Sequence, residues 1–291
     1  MMSLYRKTKW IMITVAIMVI ATLGAAPHAF AGQADQTRLY LVSLGVGDVD
    51  LITLRAIDTI NKSQVIVCRK ETENKFIKYL KGKEILDASL SGWRTYRKDR
   101  AVIKDRKDRK EREKQDTKER ERRRNNNETR AKLIAQIRHA LDAGKTVSVL
   151  GSGDLCIYGG PYRWYLEEFK DMHPKIIPGV SCFNAANAAL GKDVMLGKQS
   201  HSAVLTTARD LEKFSDHNPT MVIFTMHTQF EDLVEKLKTQ YSPETPIAIV
   251  FYAGYKDKEH ITRGRLDTIL QKTQGHDFPF EHLVYVGDFM N

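Results

Sequence analysis

Arg38-Leu-Tyr-Leu-Val-Ser-Leu44, Gly45-Val-Gly-Asp48, residues 51–60 and Gln64-Val-Ile-Val-Cys68 form the run that decides the fold. The first segment is apolar and rich in sheet formers, which predicts a strand. Gly45 to Asp48 is a tight turn. Beyond it, Leu51, Leu54, Ala56, Ile57 and Ile60 share one helical face. Gln64 to Cys68 is a β-branched run, a second strand. Strand, helix and strand in this order open a parallel sheet.

Working outward, residues 74–80 read as a helix. The segment 129–143, with Ala131, Ile134, Ile137 and Leu141 at helical spacing, reads as an amphipathic helix stopped by Gly144. A strand over 146–150 runs into Gly151-Ser-Gly-Asp154. A helix over 161–169 and a short strand over 175–177 complete a first α/β unit. Pro178-Gly-Val-Ser181 opens the second. Ser181 is placed to cap an Ala-rich helix over 184–190 that ends at Gly191. Strands follow at 203–206, 221–225, 247–251 and 283–286, with helices at 230–239 and 266–271. The expected architecture is two α/β domains, 37–177 and 178–291, with a ligand cleft between them.

The formal charge of +10 is concentrated rather than spread. Residues 94–130 hold 17 Arg or Lys against 9 Asp or Glu, a net of +8, which leaves +2 for the rest of the chain. With few apolar residues, this insert has no face to bury, so it is disordered or an exposed charged helix. Nucleic acid ranks last among partners, because Trp93 and Tyr96 are the only aromatics beside the charge.

Arg6, Lys7 and Lys9 precede an uncharged apolar run over 10–26, and Ala29-Phe-Ala31 follows. This is the layout of a secretory signal peptide over 1–31 cleaved after Ala31. It places the folded part outside the cytoplasm, in the periplasm of a Gram-negative cell. Uncleaved, the same run would anchor the chain in the membrane facing the same side. Cys68, Cys156 and Cys182 lack C-x-x-C spacing, which argues against a zinc or thioredoxin-type site. An oxidising compartment allows one disulfide among them.

The chemistry sits in the glycine-bearing turns. Backbone there can approach a ligand, and a following helix N-terminus favours an anion. The first turn lacks the third glycine of the dinucleotide fingerprint. Its next strand ends in Cys68-Arg69 rather than in an acid for a ribose, so a nicotinamide or flavin site is disfavoured. Turns at the carboxyl ends of parallel strands form a crevice.

In order, these stretches resemble the tetrapyrrole methylase family. Tyr40 to Asp48 with Leu51-Ile-Thr-Leu-Arg-Ala56 is similar to its opening G-x-G-P-G-D and L-T-x-x-A. Residues 144–154 resemble its G-x-x-V-x-x-L-x-x-G-D-P, and Ile177 to Ser181 its I-P-G-V-S/T. Phe224-Thr-Met226, Thr245 to Val250 and Arg263-Gly-Arg-Leu266 resemble its C-terminal pieces. The resemblance implies a homodimeric S-adenosylmethionine-dependent C-methyltransferase acting on a tetrapyrrole or corrin-type ring. It implies cofactor contacts at Val46, Ser152, Gly153, Asp154, Ile157, Ser181, Cys182, Met226 and Gly254. Asp154 is then the carboxylate facing the cationic sulfonium. Alternatively Asp154 only caps its loop. Val46 and Leu155 stand where the family has prolines. Arg69 stands where its uroporphyrinogen methylases have an acid proposed to accept a proton, which favours a corrin-type or other substrate. His201 and His227 are the candidates for a base. Because S-adenosylmethionine is made in the cytoplasm, export also leaves open an exported, non-catalytic tetrapyrrole-binding module on the same fold.

Overall fold

The computed structural model describes residues 37–88, 109–198, 201–211, 214, 219–226, 228–276 and 278–290. The leader, residues 94–108 of the insert and His227 lie outside these. Strands β1 (Leu39–Ser43), β2 (Val65–Cys68), β3 (Glu84–Asp87), β4 (Val147–Gly151) and β5 (Lys175–Ile177) form one sheet in the order β3-β2-β4-β1-β5. Every pairing in it is parallel. β2 and β4 are buried throughout, as expected when both faces are covered; β2 is wholly apolar, and β4 is interrupted only by Ser148, whose hydroxyl is paired with that of Ser63 at 2.7 Å.

One face of this sheet packs Leu39, Leu41, Val65, Val67, Val147 and Val149 against helix α4 (Arg109–Asp142) and α5 (Gly160–Glu168). The other face meets α1 (Leu54–Lys62), α2 (Lys70–Lys75) and α3 (Ile77–Leu80) through Ala56, Ile60, Phe76 and Leu80. α1 starts late because Thr53 caps it, its hydroxyl accepting the Ala56 N–H at 3.1 Å. Leu54 is therefore not on the buried face: it is 81% exposed, and Ala56, Thr59 and Ile60 do the packing.

The insert and the amphipathic helix prove continuous. α4 runs 34 residues, from Arg109 to Asp142. Glu121, Arg124, Asn125, Asn127 and Glu128 are exposed, so the exposed-helix alternative describes this part of the insert. Contact with the core begins near Leu133, Ile137, Ala140 and Leu141, while Ala131 faces solvent. Arg130 lies over the Trp164 ring at 4.3 Å, at the junction between the two parts.

After β5 the chain leaves the first sheet. α6 (Cys182–Leu190) leads to β6 (Ala203–Thr207), β7 (Thr220–Phe224), β8 (Pro246–Phe251), β9 (His260–Arg265) and β10 (His282–Val286). Their order is β6-β7-β10-β8-β9, with β6 and β7 parallel and the other pairs antiparallel. α7 (Phe230–Lys238) and α8 (Ile269–Lys272) cover one face. α6 covers the other, where Ala185 and Ala186 let the helix sit close to Ala248 and Val250. Tyr285 anchors α6, its hydroxyl donating to Asn187 Oδ1 at 2.7 Å. Both sheets belong to one compact unit, Arg38–Asn291. Among the described residues no helix is long and apolar enough to cross a membrane, and all three cysteines are free.

Candidate active site

In the first sheet the connection from β1 leads toward β2 on one side, and that from β4 leads to β5 on the other. Connections that part in opposite directions open a crevice at the carboxyl ends of the two neighbouring strands. Gly45 to Asp48 follows β1 there, and Ser152 to Asp154 follows β4. The loops are joined: the Gly45 N–H donates to Gly153 O at 3.2 Å, and the Gly153 N–H to Gly45 O at 2.9 Å. The Val46 N–H donates to Val180 O at 3.0 Å, which binds the loop before α6 to the same group.

The second sheet supplies the opposite wall. The Asp48 N–H donates to Gly254 O at 2.9 Å, and the Lys256 N–H to Asp48 Oδ2 at 3.0 Å. Contact is so close that a Cβ on Gly47 would lie 2.1 Å from Gly254 O, so only glycine fits there. Lys75 completes the clasp. Its ammonium donates to Gly47 O and sits 4.9 Å from the Tyr255 ring centroid, and burial lowers its pKa.

Val46, Ile157, Cys182 and Met226, from four separate segments, pack on one apolar cluster that includes Phe224 and Ala253. Burial raises the Cys182 thiol's pKa, keeping it neutral. Tyr158, in the β4 loop, lies over Phe224 at the end of β7, with ring centroids 4.3 Å apart. Tyr158, Met226 and Tyr252 hold φ of 55°, 55° and 49°. For non-glycine residues such backbone costs about 1–3 kcal/mol each and persists where surroundings enforce it. Tyr158 and Met226 border this crevice, whereas Tyr252, directly after β8, packs on the cluster beneath α7 and α8.

Gly153 differs from its neighbours. A Cβ on Gly47, Gly179 or Gly254 would strike protein within 3 Å, whereas one on Gly153 meets nothing within 4 Å. Gly153 thus faces open space, which fits the approach of a ligand to backbone. At Gly254 an added Cβ would meet Leu51 Cδ1 at 2.6 Å, and φ of +83° already disfavours a side chain, so the fold itself calls for glycine there. Ser181 is buried and occupied as a helix cap. Its hydroxyl donates to Asn184 Oδ1 at 2.7 Å and accepts the Asn184 N–H at 3.3 Å. Asp154 does cap its loop, Oδ1 accepting the Cys156 N–H at 2.7 Å. Ser152 beside it is exposed.

His201 is not brought to the crevice. It precedes β6, which runs parallel to β7, so it lies beyond the opposite end of that sheet from Met226, with the full length of β7 between them. His227 lies outside the described residues. The sequence reading missed Lys75, Tyr158, Tyr252 and His282. His282 opens β10 beside Phe251, and its Nε2 pairs with Thr225 Oγ1 at 2.9 Å, one residue before Met226. No motif marks any of the four; a non-glycine left-handed φ in particular leaves no trace in sequence.

Residues 38–270 match the family described as Tetrapyrrole (Corrin/Porphyrin) Methylases. The chain is 27% identical over 271 residues to the cobalt-precorrin-4 C(11)-methyltransferase of Methanocaldococcus jannaschii, spanning 88% of this chain and 90% of the relative. To the uroporphyrinogen-III C-methyltransferase of the same organism it is 24% identical, spanning 87% and 97%. The fold is that of a solved cobalt precorrin-4 methyltransferase, with TM-score 0.63, 17% identity, and 87% and 96% of the two chains covered. The uroporphyrin-III C-methyltransferase of Thermus thermophilus, solved with S-adenosylhomocysteine, aligns with TM-score 0.58 and 16% identity over 87% of this chain and 98% of that one. With the family match spanning most of its length and the crevice built from the segments that resemble the family's motifs, the chain belongs to the tetrapyrrole (corrin/porphyrin) methylases.

Proposed function

We propose that this chain is an S-adenosylmethionine-dependent C-methyltransferase whose substrate is a corrin-type tetrapyrrole of the precorrin-4 kind. The observation that carries the reading is the crevice between β1 and β4. Its loops are locked together by backbone hydrogen bonds, and Gly153 opens onto free space beside Val46, Ile157, Cys182 and Met226. Apolar side chains with loop carbonyls suit a sulfonium, and Val46, Ser152, Gly153, Asp154, Ile157, Ser181, Cys182, Met226 and Gly254 are the proposed contacts. As Gly153, Gly254 and Ser181 already spend hydrogen bonds on the protein, their part is chiefly shape. The cofactor supplies a methyl group open to in-line attack by a ring carbon. The residues hold both reactants in line, and alignment of this kind contributes up to about 7–11 kcal/mol in well-oriented systems.

Precorrin-4 methyltransferases recur among the relatives, which supports the corrin reading. Arg69, in place of a proton-accepting acid, supports it against uroporphyrinogen. Incubating the chain with S-adenosylmethionine and either cobalt-precorrin-4 or uroporphyrinogen III tests this. The corrin should gain one methyl group and the porphyrinogen none. A chain that binds cofactor and ring yet transfers no methyl group would favour the non-catalytic binding module. We also propose a homodimer, and export with a mature terminus at Gly32. A dimer mass by light scattering and Gly32 by terminal sequencing from the native cell are expected; a monomer, or a chain starting at Met1 or Met2, overturns the respective claim.

A further inference from the structure

We propose that Arg69 is a specificity residue that binds a carboxylate of the ring substrate at the outer end of the crevice; this rests on the methyltransferase reading above. Arg69 directly follows β2 and precedes α2. β2 is parallel to β4, with Val67 paired to Val149, so Arg69 stands on the same carboxyl edge as Ser152 to Asp154, one strand outward.

Its surroundings are aromatic and partly closed. Arg69 is half-buried. Its positive charge draws down the pKa of Tyr162 and Tyr165, against the larger upward push of their burial. Tyr162 is fixed at the end of β4, its hydroxyl donating to Leu150 O at 3.3 Å and its ring filling the space a Cβ on Gly151 would need. Arg69 thus stands one strand away from the loop that carries Gly153 and Asp154, near enough for its charge to act on Tyr162 and Tyr165.

Neighbouring charges are already matched: Lys70 pairs with Glu73 at 2.8 Å, and Lys75 is bound to Gly47 O and the Tyr255 ring. Arg69 is not. Among the described residues its guanidinium makes no hydrogen bond or ion pair. A guanidinium with no protein acceptor is available to a ligand, and its planar fork fits a carboxylate through two parallel hydrogen bonds. A ring edged with acetate and propionate groups offers that partner where Arg69 stands.

The test is calorimetric titration of the full chain, saturated with S-adenosylhomocysteine, with two stable corrinoids. Cobyrinic acid has free ring-edge carboxylates; in dicyanocobinamide they are amides. Arg69→Gln should weaken cobyrinic acid roughly tenfold or more, as expected for a lost charged hydrogen bond, and leave dicyanocobinamide and S-adenosylhomocysteine unchanged. Arg69→Lys should recover part of the loss. Equal weakening of both corrinoids, or of neither, overturns the proposal. So does a wild-type chain that takes up S-adenosylhomocysteine but no cobyrinic acid, and in that case the cofactor reading survives. If the wild-type chain binds no S-adenosylhomocysteine, that reading falls and this proposal falls with it.

Discussion

Gly45 and Gly153 exchange two backbone hydrogen bonds, 3.2 and 2.9 Å long, across the gap between β1 and β4. The two loops are therefore one structural unit, and neither can shift alone. Gly153 has φ +72° with open space before it. A side chain there meets no clash but sits in backbone unfavourable to L-residues. Gly153→Ala is expected to lower stability by about 1–2 kcal/mol, or Tm by roughly 2–6 °C. Gly153→Val should in addition block the ligand. From sequence a smaller effect on stability than on binding is expected only if this glycine does not need positive φ; with φ at +72°, both should suffer. Thermal melts with and without S-adenosylhomocysteine check this, and an Ala variant as stable as the parent would contradict the strain.

Asp154 tests charge at nearly constant shape. The asparagine oxygen of Asp154→Asn can still accept the Cys156 N–H, so the loop should hold. If the carboxylate favours the sulfonium, S-adenosylmethionine should lose about 1.5–3 kcal/mol of affinity, as for a charged hydrogen bond. The neutral-sulfur product should lose less. Equal losses would mean that Asp154 holds the loop or the amino-acid tail that both ligands share, and not the sulfonium.

Much of this was legible because buried parallel strands and glycine turns have strong local signatures. β1, β2, β4 and the helix cap at Ser181 fall where the pattern puts them. β3 and β9 are the instructive misses. Glu84–Asp87 and His260–Arg265 are edge strands with one buried residue between them, Leu86, and neither alternates strongly enough to be read. α4 begins well before Thr129, where the apolar pattern starts, because its charged part is helical without an apolar stripe to mark it. The loops could be named from their motifs. Their clasp to Lys75 and Tyr255 could not, because those contacts join segments far apart in the chain.

The charged end of α4 should be dispensable. Core contact begins near Leu133, and residues 124–128 are mostly exposed. Deleting residues 97–127 with a short Gly/Ser bridge should leave one cooperative melt, with Tm within a few degrees, since closure entropy changes slowly with loop length. Loss of cooperativity would mean that the segment packs on the fold.

His282 gives stability a pH dependence. The Pro279 carbonyl, 2.5 Å away, can only accept, so Nδ1 carries the proton and Nε2 accepts from Thr225. Burial lowers the ring's pKa below its ordinary 6.5, outweighing the upward pull of Pro279 and Glu281. The unfolded chain then binds the proton more readily than the folded one. This contribution is complete above pH 6.5 and is lost as pH falls through the lower folded pKa. Wild-type Tm should fall more steeply than that of His282→Gln between pH 7 and pH 5; parallel curves would contradict the assignment.

The most direct test of the central claim is calorimetric titration of the chain with S-adenosylhomocysteine. The crevice between β1 and β4, with Gly153 open to it and Val46, Ile157, Cys182 and Met226 beside it, predicts saturable binding of one molecule per chain. Gly153→Val should abolish that binding. A folded chain that gives no heat of binding, or a Gly153→Val variant that binds as the parent does, would contradict the account.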